Sequence, residues 1–335
     1  MAVVARLVLA GCLCLATMAP AWGNTIKLGT IAPVNSPWLE IIRQMGDEWQ
    51  RMANGAVEVK IYPGGVVGDE SDILRKVRVG QLQAASISIA GLAEAVPDLR
   101  ALYMPLLLES DEELDYVVAR MRPSLEAALE RRGFKVLNWG DAGWMHFFAQ
   151  KPVIRPDDLR PQKLFWWDAR GPYIDALKSA GFQPVPLPAT EMHMALESGL
   201  INAFTAPPIA ALSFQWFALA PHMTDMKWVP LIGATVITLD KWNSLPEALR
   251  PRLAETAAAA GDRITAAVRP LHDESIAVMR QHGLTVHQVP PDALEEWREV
   301  VRAAYPKLIG PMVPAAAVAQ VERLRDEYRA QHEAK

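Results

Sequence analysis

Apolar positions in the first third of the chain follow two alternating periods, one typical of strands and one typical of helices. Residues 25–29 and 57–61 alternate apolar with polar side chains, which predicts two strands. Between them, apolar side chains recur at helical spacing from 38 to 52, behind Ser36 as a candidate N-cap. This alternation predicts an open α/β sheet with helices on its faces.

The same alternation continues to the end of the chain. Asp69 is the candidate N-cap of the next helix, and Pro270 is expected to kink a long helical segment. The further predicted strands cover residues 84–89, 135–139 and 228–239. The further predicted helices cover residues 111–132, 245–282, 294–304 and 318–328.

Residues 163–204 form the second predicted α/β unit, and it is unusually apolar. The pattern predicts strand, helix, proline-rich crossover, helix and strand, and the first strand carries the run Phe165, Trp166 and Trp167. In open α/β sheets, ligands bind beyond the carboxyl ends of the strands. We therefore expect this unit to supply one wall of a ligand cleft.

The first residues predict a signal peptide, 1–23, and therefore a periplasmic protein. Arg6 precedes an apolar run at 7–16, and a small-x-small cleavage signal ends at Gly23. The apolar run is short for a membrane span. A lipoprotein anchor at Cys12 is the minor alternative, because Leu9 to Cys12 also spells an acylation box.

Charge and motifs favour a binding protein without a metal or a cofactor. The formal net charge of −4 argues against a nucleic-acid partner. Both cysteines lie in the predicted signal peptide, and the seven histidines include no helical zinc spacing. The glycine-rich turn at 64–68 lacks the P-loop lysine, and no nucleophile elbow is present. A periplasmic enzyme that uses the same cleft is the second hypothesis, and a carrier protein of an export or lipid pathway is the third.

Several short runs, taken in order, resemble the DctP-type periplasmic solute receptors of TRAP transporters. Each run is weak alone, but the ordered set spans nearly the whole chain after residue 23. The runs are YPGGxxGDE at 62–70, VRVG at 77–80, MPLL at 104–107, GFKVLNWGDxG at 133–143, PVIRxxDL at 152–159, PxPxTE at 186–191, ALxxG at 195–199 and WxxLP at 242–246.

The resemblance implies a two-domain clamshell with discontinuous domains, hinge strands and a long helix that spans both halves. Domain I is expected at 24–146 plus about 232–268, and domain II at 147–231 plus about 269–335. The resemblance also implies that a small organic ligand is captured by closure and delivered to the small and large TRAP membrane subunits. It does not imply catalysis.

The sequence departs from the family at three positions where many members hold a ligand with polar side chains. Phe165 and Met145 stand where arginines are expected, and Ala206 replaces an asparagine in the run at 202–207. A buried carboxylate without its arginine loses a strong charge-assisted contact. We therefore predict a ligand with a substantial apolar or aromatic part. The alternative is an ordinary organic acid held by a substitute base such as Arg170.

The candidate ligand-binding residues lie on both predicted walls of the cleft. Glu70 is the most ambiguous, because capping its own helix would explain this acid equally well. The candidates are Asn35, Trp38, Glu70 and Ser88 on one side, and Trp144, Met145, Phe165, Trp167, Arg170, Phe204, Ala206 and Pro207 on the other.

Overall fold

The computed structural model describes residues 24–167 and 171–332, so the predicted signal peptide, Cys12 and Arg170 lie outside the described residues. The strands are β1 (Asn24–Thr30), β2 (Val57–Tyr62), β3 (Ala84–Ser88), β4 (Phe134–Ala149), β5 (Lys163–Trp166), β6 (Gln183–Pro186), β7 (Ala203–Ala206), β8 (His222–Asp225), β9 (Val229–Thr238) and β10 (Thr285–Gln288). The helices are α1 (Pro37–Met52), α2 (Glu70–Arg78), α3 (Ile89–Leu92), α4 (Asp111–Arg131), α5 (Pro156–Leu159), α6 (Gly171–Ser179), α7 (Met192–Glu197), α8 (Pro208–Ser213), α9 (Leu239–Ser244), α10 (Arg250–Val268), α11 (Leu271–Gln281), α12 (Pro291–Leu308) and α13 (Ala315–His332).

Two long antiparallel strands connect the two ends of the sheet. The hydrogen-bonded order is β2-β1-β3-β9-β4-β7-β5-β6, and β8 pairs with both β4 and β10. Strand β4 pairs with β9 as far as Met145 and with β7 from His146 onward. The predicted α/β architecture is confirmed. The exact domain boundaries stay a prediction.

Local capping signals explain where the first helices begin. The Ser36 hydroxyl accepts a hydrogen bond from the Leu39 amide at 3.3 Å, at the start of α1. The Asp69 carboxylate accepts one from the Asp72 amide at 3.0 Å, at the start of α2. Both groups satisfy amides that a helix start leaves without partners. Both predicted N-caps are thereby confirmed.

Two elements differ from the sequence-based expectation. The proline-rich segment predicted as a crossover forms β6, which pairs in parallel with β5 at the end of the strand order. An edge strand tolerates proline because one side of its backbone needs no ladder partner. Strand β4 extends ten residues beyond the predicted end at Trp139, because its pairing with β9 resumes after two register shifts.

A long bent helical segment packs across the first half of the sheet. Helix α10 ends at Val268 and α11 begins at Leu271, so the break occurs at the predicted Pro270. A Cβ atom added to Gly261 in α10 would lie 2.2 Å from the carbonyl oxygen of Trp139 in β4. Only glycine permits so close an approach between this helix and β4.

Candidate ligand-binding site

A cavity of about 600 Å³ lies beyond the carboxyl ends of the parallel strands β1, β3, β5, β6 and β7. One side, the polar wall, contains Thr30, Ser36, Asp69, Glu70, Ser71, Ser86, Ser88 and Glu94. The opposite side, the apolar wall, contains Phe165, Trp167, Leu187, Met192, Ile209, Phe214 and Trp216. The connecting strands β4 and β9 contribute the floor. This position matches the expectation for ligands of an open α/β sheet.

The three positions that depart from the family pattern all line this one cavity. Met145 comes from β4, Phe165 from β5 and Ala206 from the end of β7. Phe165 and Met145 are largely buried, with 3% and 6% of their surface exposed. The cavity is therefore lined by apolar side chains at positions where charged or polar groups were expected.

Stacked aromatic rings support the apolar wall. Trp167 stacks on Trp166 with ring centroids 5.2 Å apart and planes 10° from parallel. Phe214 stacks on Trp216 with centroids 4.5 Å apart. Because such pairs have few rotatable bonds, they present flat contact area at a small entropic cost.

Glu70 is bound to Ser88 rather than to the start of its own helix. Its Oε1 accepts a hydrogen bond from the Ser88 amide at 2.7 Å, and its Oε2 accepts one from the Ser88 hydroxyl at 2.5 Å. Asp69, not Glu70, caps α2. Burial raises the pKa of the Glu70 carboxyl above its ordinary value, while the bonds from Ser88 oppose that shift. This acid joins α2 to the end of β3 at the cavity surface.

Trp38 connects the polar wall to the strands of the floor. Its indole N–H donates to the Ser86 hydroxyl at 2.9 Å, and the Thr235 hydroxyl donates to the same oxygen at 3.1 Å. A Cβ atom added to Gly233 would lie 2.8 Å from the Trp38 ring. The ring is therefore held by polar contacts on one side and by close packing on the other.

The structure places three predicted site residues outside the cavity wall. Trp144 is buried, and its indole N–H donates to Asp111 Oδ1 at 2.7 Å. It lies next to Met145, and successive side chains of a strand point to opposite faces. Phe204 is fully buried and stacks on Phe148 with centroids 5.2 Å apart. Asn35 is exposed beside the lining residue Ser36.

The other predicted site residues in the described ranges line the cavity, and several lining residues were missed. Trp38, Glu70, Ser88, Trp167 and Pro207 join the three apolar replacements on its surface. Sequence reasoning missed Thr205, Ile209, Phe214 and Trp216, among others. These residues lie at the carboxyl end of β7 or after it, and this position could have indicated that they line the cavity. The roles of all these residues as ligand contacts stay predictions.

The described lining is acidic at one end and contains no basic side chain. Asp69, Glu70 and Glu94 contribute carboxyl groups, whereas no described lining residue is lysine, arginine or histidine. Within residues 24–167 and 171–332, no three metal-ligating side chains come together in a plausible cation site. In the same ranges, no helix combines the length and apolarity that a bilayer span requires.

Comparison with known proteins gives a consistent set of relatives. The family model described as bacterial extracellular solute-binding protein, family 7 (DctP), matches residues 28–310. The C4-dicarboxylate-binding periplasmic protein DctP of Rhodobacter capsulatus is 22% identical over 312 residues, covering 91% of this chain and 93% of the relative. The sialic acid-binding periplasmic protein SiaP of Vibrio cholerae is 19% identical, covering 84% and 87%.

Solved structures show the same fold at low sequence identity. A TRAP periplasmic solute-binding protein from Ralstonia eutropha, with bound (S)-2-acetolactate, has a TM-score of 0.85 and 22% identity, covering 91% of this chain and 100% of that chain. One from Sulfurospirillum deleyianum, with bound succinate, has a TM-score of 0.82 and 19% identity, covering 90% and 98%.

Proposed function

Because the chain belongs to the bacterial extracellular solute-binding proteins of family 7, we propose that it captures an organic ligand with a substantial apolar or aromatic part for a TRAP-type transporter. Proteins of this family are periplasmic substrate-binding receptors, not enzymes, and they work with membrane subunits. The observation that carries the ligand proposal is the convergence of Met145, Phe165 and Ala206 on one cavity.

Burying a ligand carboxylate in this cavity would cost free energy. Without a bidentate arginine, the ligand's charge loses its strongest partner, and an unpaired buried charge costs several kcal/mol. An apolar body instead gains about 25 cal/mol for each Å² of apolar surface removed from water. The apolar wall therefore favours hydrocarbon or aromatic surface over a small polyanion.

Capture is proposed to occur by closure of two domains about the connecting strands β4 and β9. The polar wall belongs to the predicted domain I and the apolar wall to the predicted domain II. Closure would bring the walls together around the ligand, and the closed form would deliver it to the small and large membrane subunits. Export by the predicted signal peptide completes the proposal.

Titration with two contrasting compounds tests the ligand proposal. The protein is freed of retained ligand by unfolding and refolding, then titrated by calorimetry with succinate and with 2-(2-naphthyl)ethanol. Tighter binding of the naphthyl compound supports the proposal. Micromolar binding of succinate together with no binding of the naphthyl compound contradicts it. In that case Arg170→Gln tests the alternative, because loss of succinate binding would identify Arg170 as the substitute base.

A further inference from the structure

The charges around the cavity restrict the polar group that a ligand can carry. The relatives described above are named for, or were solved with, organic acids. In this chain, the described lining contains the carboxyl groups of Asp69 and Glu70 but no basic side chain. A ligand anion would therefore approach like charges, and like charges in a poorly solvated site repel strongly.

Three of the five hydroxyl groups of the polar wall donate their hydrogens within the protein, whereas the hydroxyls of Thr30 and Ser86 accept hydrogen bonds. The Ser88 hydroxyl donates to Glu70 at 2.5 Å, and the Ser71 hydroxyl donates to Glu94 at 2.5 Å. The Ser36 hydroxyl donates to the carbonyl oxygen of Pro33 at 2.8 Å. A hydroxyl has only one hydrogen to donate. These three serines can therefore offer a ligand acceptor sites, but not donors for a carboxylate.

Glu70 can accept a further hydrogen bond on this wall. Each of its oxygens already accepts one bond from Ser88, and each carboxylate oxygen has a second acceptor site. Burial disfavours its charge and raises its pKa, and the neighbouring charge of Asp69 acts in the same direction. A donor or a cation beside Glu70 would oppose both effects, whereas an anion would add to them.

We propose that the ligand lacks an anionic group and binds with a hydroxyl or ammonium group that donates to Glu70, while its apolar body contacts the apolar wall. This inference rests on the proposed function and specifies the ligand class. The rings of Trp167, Phe214 and Trp216 suit a flat or cyclic body. An ammonium group would gain further from the faces of these rings.

Three probes with the same naphthyl body and different polar end groups test which end group the cavity prefers. The refolded protein is titrated at neutral pH with 2-naphthylacetate, 2-(2-naphthyl)ethanol and 2-(2-naphthyl)ethylamine. The alcohol or the amine is expected to bind at least about tenfold more tightly than the carboxylate, because the latter is desolvated without a partner. A preference for the amine over the alcohol would identify a cationic ligand, and the reverse would identify a neutral one.

A matched pair of variants tests the role of Glu70. Glu70→Gln removes the charge at the cavity, whereas Asp72→Asn removes a charge on the same helix from a residue that does not line the cavity. We expect Glu70→Gln to weaken amine binding about tenfold, the loss of one charge-assisted contact, and Asp72→Asn to leave it unchanged. Equal effects of the two variants would contradict a direct contact with Glu70.

The outcomes distinguish this inference from the proposed function. If the carboxylate binds as tightly as the alcohol and the amine, the inference is wrong. The proposal that the ligand has an apolar body would remain valid. Loss of that carboxylate binding in Arg170→Gln would identify the missing base. Binding of succinate alone, with none of the naphthyl probes, contradicts the inference and the proposed function together. The three wild-type titrations decide the inference even if Glu70→Gln fails to fold.

Discussion

Gly65 lies at a contact between the two sides of the cavity, and enlarging it should weaken ligand binding. This residue follows β2 on the side of the polar wall. Thr190 precedes α7 on the side of the apolar wall. A Cβ atom added to Gly65 would lie 2.6 Å from Thr190 Cγ2, closer than real Cβ contacts come. Gly65→Ala should therefore hold the two sides apart.

The neighbouring Gly64 provides the matched control. Both glycines have a positive φ, +73° for Gly65 and +62° for Gly64, so alanine strains the backbone at either position by about 1–2 kcal/mol. The nearest atom to a Cβ at Gly64 is 3.7 Å away, an ordinary contact with Val34. Only Gly65→Ala adds the steric clash with Thr190. Overpacking typically costs about 1–3 kcal/mol, which corresponds to about a 5- to 150-fold loss of affinity.

Two measurements separate the shared strain from the clash. Thermal unfolding without ligand should show similar losses of Tm for Gly65→Ala and Gly64→Ala. Calorimetric titration with the compound extracted from the purified protein should show a higher Kd for Gly65→Ala alone. Equal Kd values for the two variants would refute the reasoning, because they would mean that Gly65 and Thr190 do not touch in the ligand-bound state.

Three other positions give further predictions. Phe204→Ala should lower the free energy of unfolding by about 3–5 kcal/mol without changing ligand preference, as urea denaturation and titration would show. Because burial raises the pKa of Glu70 above 4.5, the folded chain binds this proton more tightly than the unfolded chain. Wild-type stability should therefore fall relative to Glu70→Gln as the pH rises from 4.5 through the raised pKa, which a pH series of urea denaturation curves measures. Gly261→Ala should lower the Tm in scanning calorimetry, although alanine normally favours a helix, because its Cβ would clash with Trp139.

Helix starts could be predicted from the sequence because the signals that produce them are local. Ser36 and Asp69 each accept a bond from an amide three residues onward, and this short spacing is visible in the chain. The kink at Pro270 is local for the same reason, since proline lacks the N–H that would continue the helical ladder. Such elements depend little on what packs against them.

The faces of the central strands could not be assigned from the sequence. Trp144 and Met145 must point to opposite sides of β4, but their order does not say which side meets the cavity. Both are apolar, and β4 is covered on both faces, so burial gives no contrast between them. Phe204 was misplaced for a similar reason, because its stacking partner Phe148 comes from a strand far away in the chain.

Strand β6 illustrates a second limit of the sequence. Prolines at 184 and 186 argue against a central strand and favoured a crossover. Their tolerance in β6 depends on its place at the edge of the sheet, beside β5. Edge position is a property of the whole topology, so a local pattern cannot reveal it.

Native mass spectrometry of gently purified protein, before and after denaturing extraction, tests the central claim most directly. Closure of a receptor around its ligand buries the ligand, so part of the population should retain it through purification. We expect the bound compound to have a large apolar or aromatic part. Recovery of a small polyanion such as a dicarboxylate would contradict the functional meaning given to Met145, Phe165 and Ala206, while leaving the fold and the family unchanged.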